Sequence, residues 1–270
     1  MRIPRQISLF LVATQFLTRL PVPALPEFQP QWLTRSARYF PLVGVLVGVI
    51  NVGAWWLCDR WFPPAVSLGL MIAVSLLVTG AFHEDGFADV CDGFGGGATP
   101  ERVLAIMQDS RVGAFGAIGI VMMLGLKWTT LLMLPGAAIP LLVVGAHTMS
   151  RWCSTGLIWR LHYVRPDGDG KSKPLANSLS GPDWILSGTI GAAALGVIVL
   201  VSDVPFNSPT CQALFPATAA AGATACLAGV YFKSRIGGYT GDCLGATQQL
   251  SELAFILTAL AMLRPARLLN

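Results

Sequence analysis

Long apolar runs without charge recur along this 270-residue chain, separated by short stretches that carry most of its charged side chains. A helix that spans a membrane needs about 20 predominantly apolar residues. The runs predict seven such helices, near residues 39–58, 63–82, 113–134, 136–157, 184–202, 210–232 and 245–263. The predicted fold class is therefore an all-α, polytopic membrane helix bundle that forms a single transmembrane domain over residues 1–270.

The N-terminal segment has a different pattern of apolar positions. Polar side chains such as Gln15 and Arg19 interrupt the apolar run, and the remaining apolar side chains recur at helical spacing, at positions 9, 10, 12, 13, 16, 17 and 20. This spacing is typical of an amphipathic helix with one apolar stripe. We expect this helix to lie in the membrane interface rather than to cross the bilayer.

Composition agrees with a membrane protein, because 54% of the residues are hydrophobic and only 12% are charged, too few to cover a water-facing surface. The net charge of +4 would suit a nucleic-acid partner in a soluble protein, but here Lys and Arg lie mainly in short connecting segments. We therefore expect membrane lipid as a partner and no nucleic acid. The six cysteines show no C-x-x-C spacing, so neither a disulfide framework nor a cysteine metal site is predicted.

Basic residues also predict the orientation. The N-terminal segment and the loops near 83–112, 159–183 and 233–244 alternate onto one side of the membrane and hold most of the Lys and Arg. Loops rich in these residues stay on the cytoplasmic side. A site built from these three polar loops would therefore face the cytoplasm.

The first loop contains a dense run of carboxylates with no Lys or Arg nearby: Glu84, Asp85, Asp89 and Asp92. At helical spacing, Asp85, Asp89 and Asp92 share one face, where their charges repel unless a cation neutralises them. Oxygen ligands suit Mg²⁺ or Mn²⁺, which can also bind phosphate oxygens. We predict a metal site formed by all four carboxylates, with Asp85 and Asp89 as catalytic residues; the alternative is a solvated acidic helix end.

Basic side chains near the same face are candidates for binding phosphate. Arg111 follows Asp109 just before a predicted span, and Arg151 lies one helical turn after His147 within another. Lys127 also lies inside a span, where we expect its side chain to extend to the far interface. The alternative for Arg111 is an anchor that fixes the orientation of its helix.

The remaining two loops carry polar residues in glycine-rich surroundings. The loop after residue 159 is not a P-loop, because Arg165 stands where that motif requires glycine. It nevertheless carries basic side chains suited to phosphate and acidic side chains suited to metal, namely Arg165, Asp167, Asp169, Lys171 and Lys173. The last loop adds Asp242, which shares a helical stripe with Gln249 and Glu252. For Gln249 and Glu252 the alternative role is hydrogen bonding between helices.

Together these segments resemble the cobalamin synthase family, the adenosylcobinamide-GDP ribazoletransferases. The resemblance runs in order through Thr18–Pro23, His83–Gly97, Asp109–Gly113, Asp167–Pro174 and Gly237–Glu252. It implies an Mg²⁺-dependent transferase of the bacterial cytoplasmic (inner) membrane, with adenosylcobinamide-GDP and α-ribazole or its 5′-phosphate as small-molecule substrates. GMP would leave, and adenosylcobalamin or its 5′-phosphate would form. The pattern is also compatible with a homo-oligomer.

Two other functions remain as alternatives. A CDP-alcohol phosphotransferase also uses spaced aspartates at a membrane surface, but its pattern D-x-x-D-G-x-x-A-R is absent here. A transporter would place polar residues deep in several spans, whereas the polar residues of this chain are expected to cluster at one membrane face.

Overall fold

Residues 4–25, 29, 31–164, 179–202 and 204–263 are described by a computed structural model. Within these ranges the chain forms helices joined by short connections, and its only β-type pairing is one isolated bridge between Tyr163 and Tyr239. The helices are α1 (Arg5–Leu17), α2 (Gln31–Ser36), α3 (Phe40–Cys58), α4 (Pro64–Thr79), α5 (Phe82–Gly96), α6 (Pro100–Ile106), α7 (Ala114–Met133), α8 (Ile139–Arg160), α9 (Gly181–Val201), α10 (Pro209–Ile236) and α11 (Gly241–Leu263). The all-helical fold class is confirmed.

Each of the seven predicted spans coincides with a helix, namely α3, α4 and α7 to α11. Length and hydropathy identify five candidate spans among the described residues: 31–58, which includes α2 and α3, and the helices α7, α9, α10 and α11. A sixth results if α4 and α5 together count as one bent span. The protein is therefore a multi-pass membrane protein, but the predicted number of seven spans is not confirmed.

Helix α8 lies at the centre of the bundle and contacts α3, α9, α10 and α11. It is 22 residues long, or about 33 Å, which is enough to cross a membrane. Its polar side chains, however, lower its mean hydropathy, so it is not among the candidate spans. Most of its residues between Ile139 and Ile158 are buried by the surrounding helices. Because its neighbours cover it, α8 can carry polar side chains at positions where a lipid-facing helix could not.

The α4–α5 junction bends the chain by 90°. Gly80 and Ala81 both adopt left-handed backbone angles, with φ of 65° and 52°, and Ala81 is the one non-glycine residue with positive φ in the described part of the chain. Two successive left-handed residues end α4 and start α5 in a new direction. The polar connection predicted near 83–112 therefore begins with a helix, α5 (Phe82–Gly96). The helical spacing predicted for Asp85, Asp89 and Asp92 is present in α5, and Thr99 caps α6 by accepting a hydrogen bond from the Arg102 amide.

Glycines allow α3 and α8 to cross closely. A Cβ atom at Gly44 would overlap the backbone of His147, and one at Gly48 would lie 2.7 Å from the Val144 Cα atom. These two glycines are four residues apart and share one face of α3. They therefore let the backbones of α3 and α8 approach closely.

Candidate active site

The described parts of the three predicted polar loops meet at one end of the bundle. The Tyr239 amide donates to the His162 carbonyl at 2.9 Å, and the Val164 amide donates to the Tyr239 carbonyl at 3.0 Å. Arg235 Nη2 donates to the Gly97 carbonyl at 2.9 Å. The ends of α5, α8 and α10 and the start of α11 therefore lie on one face, as the alternating topology predicts for the described parts of these loops.

The acidic face, which we define as Asp85, Asp89 and Asp242, lies at this end. Asp85 is exposed and Asp89, one helical turn later, is half-buried. A Cβ atom at Gly86 would lie 2.9 Å from the Asp242 Cα atom, so α5 and α11 touch through backbone at this point. Thr240 Oγ1 donates to Asp242 Oδ2 at 3.2 Å. The glycine contact thus brings Asp242 beside the helical turn that carries the other two carboxylates.

Asp92 has a different role. Its Oδ2 atom accepts a hydrogen bond from the Gly113 amide at 2.7 Å, and its Oδ1 atom accepts one from the Gly116 amide at 2.8 Å. These amides belong to the first turn of α7, where backbone donors lack partners within the helix and the helix dipole favours negative charge. Asp92 of α5 therefore caps the N-terminus of α7.

Glu84 points away from the acidic face, into the bundle. Its Oε1 atom accepts a hydrogen bond from Gln249 Nε2 at 2.9 Å, and its Oε2 atom is buried without a partner. Among the described residues, no group of three or more His, Cys, Asp or Glu side chains is arranged to hold a metal ion. The structure therefore does not bring the four predicted carboxylates together, because helical spacing fixes only the helix face, whereas packing directs Glu84 and Asp92 to other partners.

A polar network fills the interior between the acidic face and the opposite end of the bundle. Lys127 Nζ lies 2.7 Å from Glu252 Oε1 and donates to Gln249 Oε1 at 2.9 Å. Both charged side chains are less than a tenth exposed. The prediction that Lys127 extends to the far interface is therefore wrong, because Glu252 offers it an opposite charge within the bundle. Gln249 and Glu252 do face the interior, as their helical stripe predicts.

Further hydrogen bonds extend this interior network to five helices. Gln248 Nε2 donates to Glu252 Oε2 at 2.6 Å and to Ser150 Oγ at 3.0 Å. His147 Nδ1 lies 3.2 Å from Glu252 Oε2, and its Nε2 atom lies 2.8 Å from Asn51 Nδ2. We assign the Nδ1 proton to the contact with Glu252, which leaves Nε2 to accept from Asn51. Sequence reasoning missed Asn51, although a lone amide in an otherwise apolar span is a signal for such a contact.

The interior network encloses a small cavity. Asn51 Oδ1 and Glu84 Oε2, the two buried oxygens of the network without a partner, belong to side chains that line it. Its volume of about 20 Å³ is enough for one water molecule. Two negative groups, Glu84 and Glu252, are balanced by Lys127 and by Arg151 next to His147. The interior is therefore charged but close to neutral, as burial away from water requires.

Arg151 is 2% exposed, and its Nη1 atom donates to the His147 carbonyl at 3.0 Å. It also lines a second cavity of about 20 Å³ together with His83 and Gly241. The structure thus places Arg151, a predicted phosphate-binding residue, inside the bundle rather than at its surface. Its position on a central helix, which the sequence could not reveal, explains the difference.

Arg111 is exposed at the site end of the bundle. Its Nε and Nη2 atoms both donate to the Asp109 carboxylate, with the shortest distance 2.6 Å. The hydrogen bonds from the Arg111 side chain lower the pKa of Asp109 to about 2. Asp109 therefore stays ionised at neutral pH, and the guanidinium is held in the fork geometry that also binds phosphate. The predicted residues Arg165, Asp167, Asp169, Lys171 and Lys173 lie outside the described residues.

Comparison with known proteins supplies the family. The model of the family described as cobalamin-5-phosphate synthase matches residues 9–260. The chain belongs to this family. It is 42% identical to the adenosylcobinamide-GDP ribazoletransferase of Shewanella frigidimarina over 96% of each chain. It is 41% identical to the enzyme of that name from Leptothrix cholodnii (95% of this chain, 96% of the relative) and 43% identical to that from Ralstonia pickettii (92% and 93%). No solved structure matches.

Family membership makes the chain an enzyme of cobalamin synthesis. The expectation that the polar residues cluster at one membrane face, which argued against a transporter, is wrong for this protein. Lys127, His147 and Glu252 are buried inside the bundle on three different helices. A buried network of this kind is typical of transporters as well as of enzymes. The family, rather than the placement of polar residues, decides between the two.

Proposed function

We propose that this protein joins adenosylcobinamide-GDP to α-ribazole or α-ribazole 5′-phosphate. A hydroxyl oxygen of the ribazole attacks the phosphorus linked to cobinamide, the bond from that phosphorus to GMP breaks, and GMP leaves. The hydroxyl proton passes to a carboxylate of the acidic face. The products are GMP and adenosylcobalamin, or its 5′-phosphate when the phosphorylated ribazole is used. Support for these substrates comes from the names of relatives more than 40% identical over nearly the whole chain.

The acidic face supports the proposed chemistry. Asp85 is open to solvent, Asp89 is one turn away, and Asp242 is brought beside them by the backbone contact at Gly86. Mg²⁺ is usually held by one or two carboxylates together with substrate phosphates and water, rather than by a complete protein cage. We propose that Asp85 and Asp89 hold Mg²⁺ in this way, with oxygens of substrate phosphate and water as its other ligands. Bound there, Mg²⁺ would neutralise charge that develops on the diphosphate.

The positive side chains have a complementary role. We propose that Arg111 exchanges its carboxylate partner, Asp109, for oxygens of the substrate diphosphate, since both present two acceptors to the same fork. The predicted basic residues of the loop after α8, Arg165, Lys171 and Lys173, would act with it, and Asp167 and Asp169 would contribute to binding of phosphate or metal. Catalysis would then consist mainly of holding two large substrates in position and stabilising the leaving phosphate.

The proposed location is the bacterial cytoplasmic membrane, with the acidic face on the cytoplasmic side. Arg35, Arg38, Arg160, Lys233 and Arg235 lie in the described segments that the topology places on this side. A basic excess of this kind favours the cytoplasm. A reporter fused after Gly97 and detected outside the cell would contradict this orientation.

Purified protein in detergent, supplied with adenosylcobinamide-GDP, α-ribazole 5′-phosphate and Mg²⁺, tests the proposal by release of GMP. We expect release that depends on all three additions, and loss of release in Asp85→Asn with unchanged helix content. Asp59→Asn is the matched control, because Asp59 lies at the opposite end of α3 and we expect it to retain activity. Folded wild-type protein that releases no GMP across a Mg²⁺ titration would remove the assignment.

A further inference from the structure

A groove runs along the lipid-facing side of the bundle between α8, α9 and α10, away from the acidic face. It encloses about 430 Å³. On α10 its lining residues follow one helical stripe: Gly222, Ala225, Cys226, Gly229 and Lys233. On α8 a second stripe consists of Cys153, Gly156, Leu157 and Arg160. Most side chains in the two stripes are small. Each stripe ends in a basic residue, and the two basic residues lie at the same end of the bundle.

Three tryptophans form the wall of this groove. Trp184 of α9 stacks between Trp152 and Trp159 of α8, with centroid distances of 4.8 and 4.7 Å and interplanar angles of 17° and 20°. The Arg160 guanidinium extends the column, with its Cζ atom 4.6 Å from the centroid of the Trp159 ring. Tryptophan and arginine side by side are typical of the level where hydrocarbon meets the headgroups. The basic end of the groove therefore marks the membrane interface.

The length of the groove matches one leaflet. From Gly222 to Lys233 is 11 residues of helix, which corresponds to a rise of about 16 Å. The hydrocarbon core of a bilayer is about 30 Å thick, so one leaflet contributes about 15 Å. An acyl chain that enters at Lys233 would thus end near Gly222.

The positive charge at the open end of the groove favours a lipid with an anionic headgroup. Arg160 and Lys233 are both exposed, and no carboxylate of the described residues forms an ion pair with either. Basic pockets between transmembrane helices at this level attract anionic headgroups. A phosphate oxygen between the two cations would satisfy both of them.

We propose that this groove binds one anionic phospholipid, with an acyl chain along the small residues of α8 and α10 and the headgroup phosphate between Arg160 and Lys233. The inference does not depend on the proposed reaction, because none of these residues belongs to the acidic face. The bound lipid covers apolar surface between α8 and α10 and joins the ends of these helices at the site side of the bundle.

The test uses the full-length protein in nanodiscs of phosphatidylcholine, alone or mixed with phosphatidylglycerol, followed by native mass spectrometry. We expect wild-type protein to retain one phosphatidylglycerol in preference to phosphatidylcholine. The double variant Arg160→Ala/Lys233→Ala should bind phosphatidylglycerol about 30-fold more weakly, since each cation near the surface is worth about 1 kcal/mol. Equal retention by wild type and double variant would overturn the proposal.

A second variant tests the groove itself. Gly222→Leu should also lose the retained lipid, and the fold can accept it, because a Cβ atom at Gly222 meets nothing within 4 Å. Gly196→Leu, on α9 with equally open surroundings, is its matched control. Arg60→Ala is the control for charge, since Arg60 stacks on Trp56 at 3.4 Å at the other end of the bundle. Equal lipid loss in the controls, or a shift from dimer to monomer in the groove variants, would overturn the proposal, the latter by identifying a second copy as the occupant.

Discussion

Lys127 of α7 and Glu252 of α11 form an ion pair, with 2.7 Å between Nζ and Oε1, in a part of the bundle where neither side chain reaches solvent. Helix rise places Lys127 about 20 Å from the start of α7 and Glu252 about 16 Å from the start of α11. Glu252 therefore lies at the middle of α11, and Lys127 lies about two-thirds of the way along α7. The pair joins the helix capped by Asp92 to the helix that begins beside the acidic face.

The ion pair predicts a coupled effect on stability. Lys127→Met or Glu252→Gln should each lower the free energy of unfolding by about 3–5 kcal/mol, because each leaves the other group buried without its oppositely charged partner. The double variant should cost clearly less than the sum of the two. Unfolding of the four proteins in mixed micelles measures the difference. Additive losses would show that the two groups do not interact.

Asp92 predicts a separation between stability and metal dependence. Asp92→Ala should destabilise the protein by about 1–3 kcal/mol, because it leaves the Gly113 and Gly116 amides without an acceptor. Its Mg²⁺ concentration for half-maximal GMP release should stay unchanged. Asp89→Asn should do the opposite, raising that concentration with little loss of stability. A raised Mg²⁺ requirement in Asp92→Ala would return this residue to the metal site.

The contact between Gly86 and Asp242 predicts that a single methyl group disturbs the acidic face. In Gly86→Ala the new Cβ atom would meet the backbone of Asp242 at 2.9 Å, which cannot move without shifting α11. We expect a loss of about 1–3 kcal/mol in stability, and a fall in kcat larger than the change in KM. Gly125→Ala is the control, because its Cβ atom would meet nothing within 4 Å. Equal behaviour of the two variants would remove the proposed role of this contact.

The paired Asp109 and Arg111 predict an effect on substrate binding. Arg111→Ala should raise KM for adenosylcobinamide-GDP by roughly 10- to 100-fold, the value of a charge-assisted hydrogen bond to phosphate. Arg111→Lys should recover only part of this loss, because an ammonium group keeps the charge but lacks the fork. Arg102→Ala, at a neighbouring exposed position, should leave KM unchanged. If Arg111→Lys has the same KM as wild type, Arg111 acts only as a point charge at the membrane surface.

The candidate site was only partly predictable. Spacing alone identified Asp85 and Asp89 as neighbours on one helical face, and Asp242 as the acid at the start of the last span. It could not separate these three from Glu84 and Asp92, since all five are carboxylates in polar, glycine-containing segments. Their different partners, Gln249 for Glu84 and two α7 amides for Asp92, come from other helices.

The sequence by itself determined where the long apolar helices lie, because a helix that spans a membrane needs about 20 apolar residues with its backbone hydrogen bonds satisfied internally. The predicted span 113–134 and the observed α7, Ala114–Met133, differ by one residue at each end. Only the tertiary structure decided the 90° bend at Gly80 and Ala81 and the pairing of Lys127 with Glu252, 125 positions apart. Local periodicity assigns a side chain to a face of its own helix, whereas its partner depends on how the helices pack.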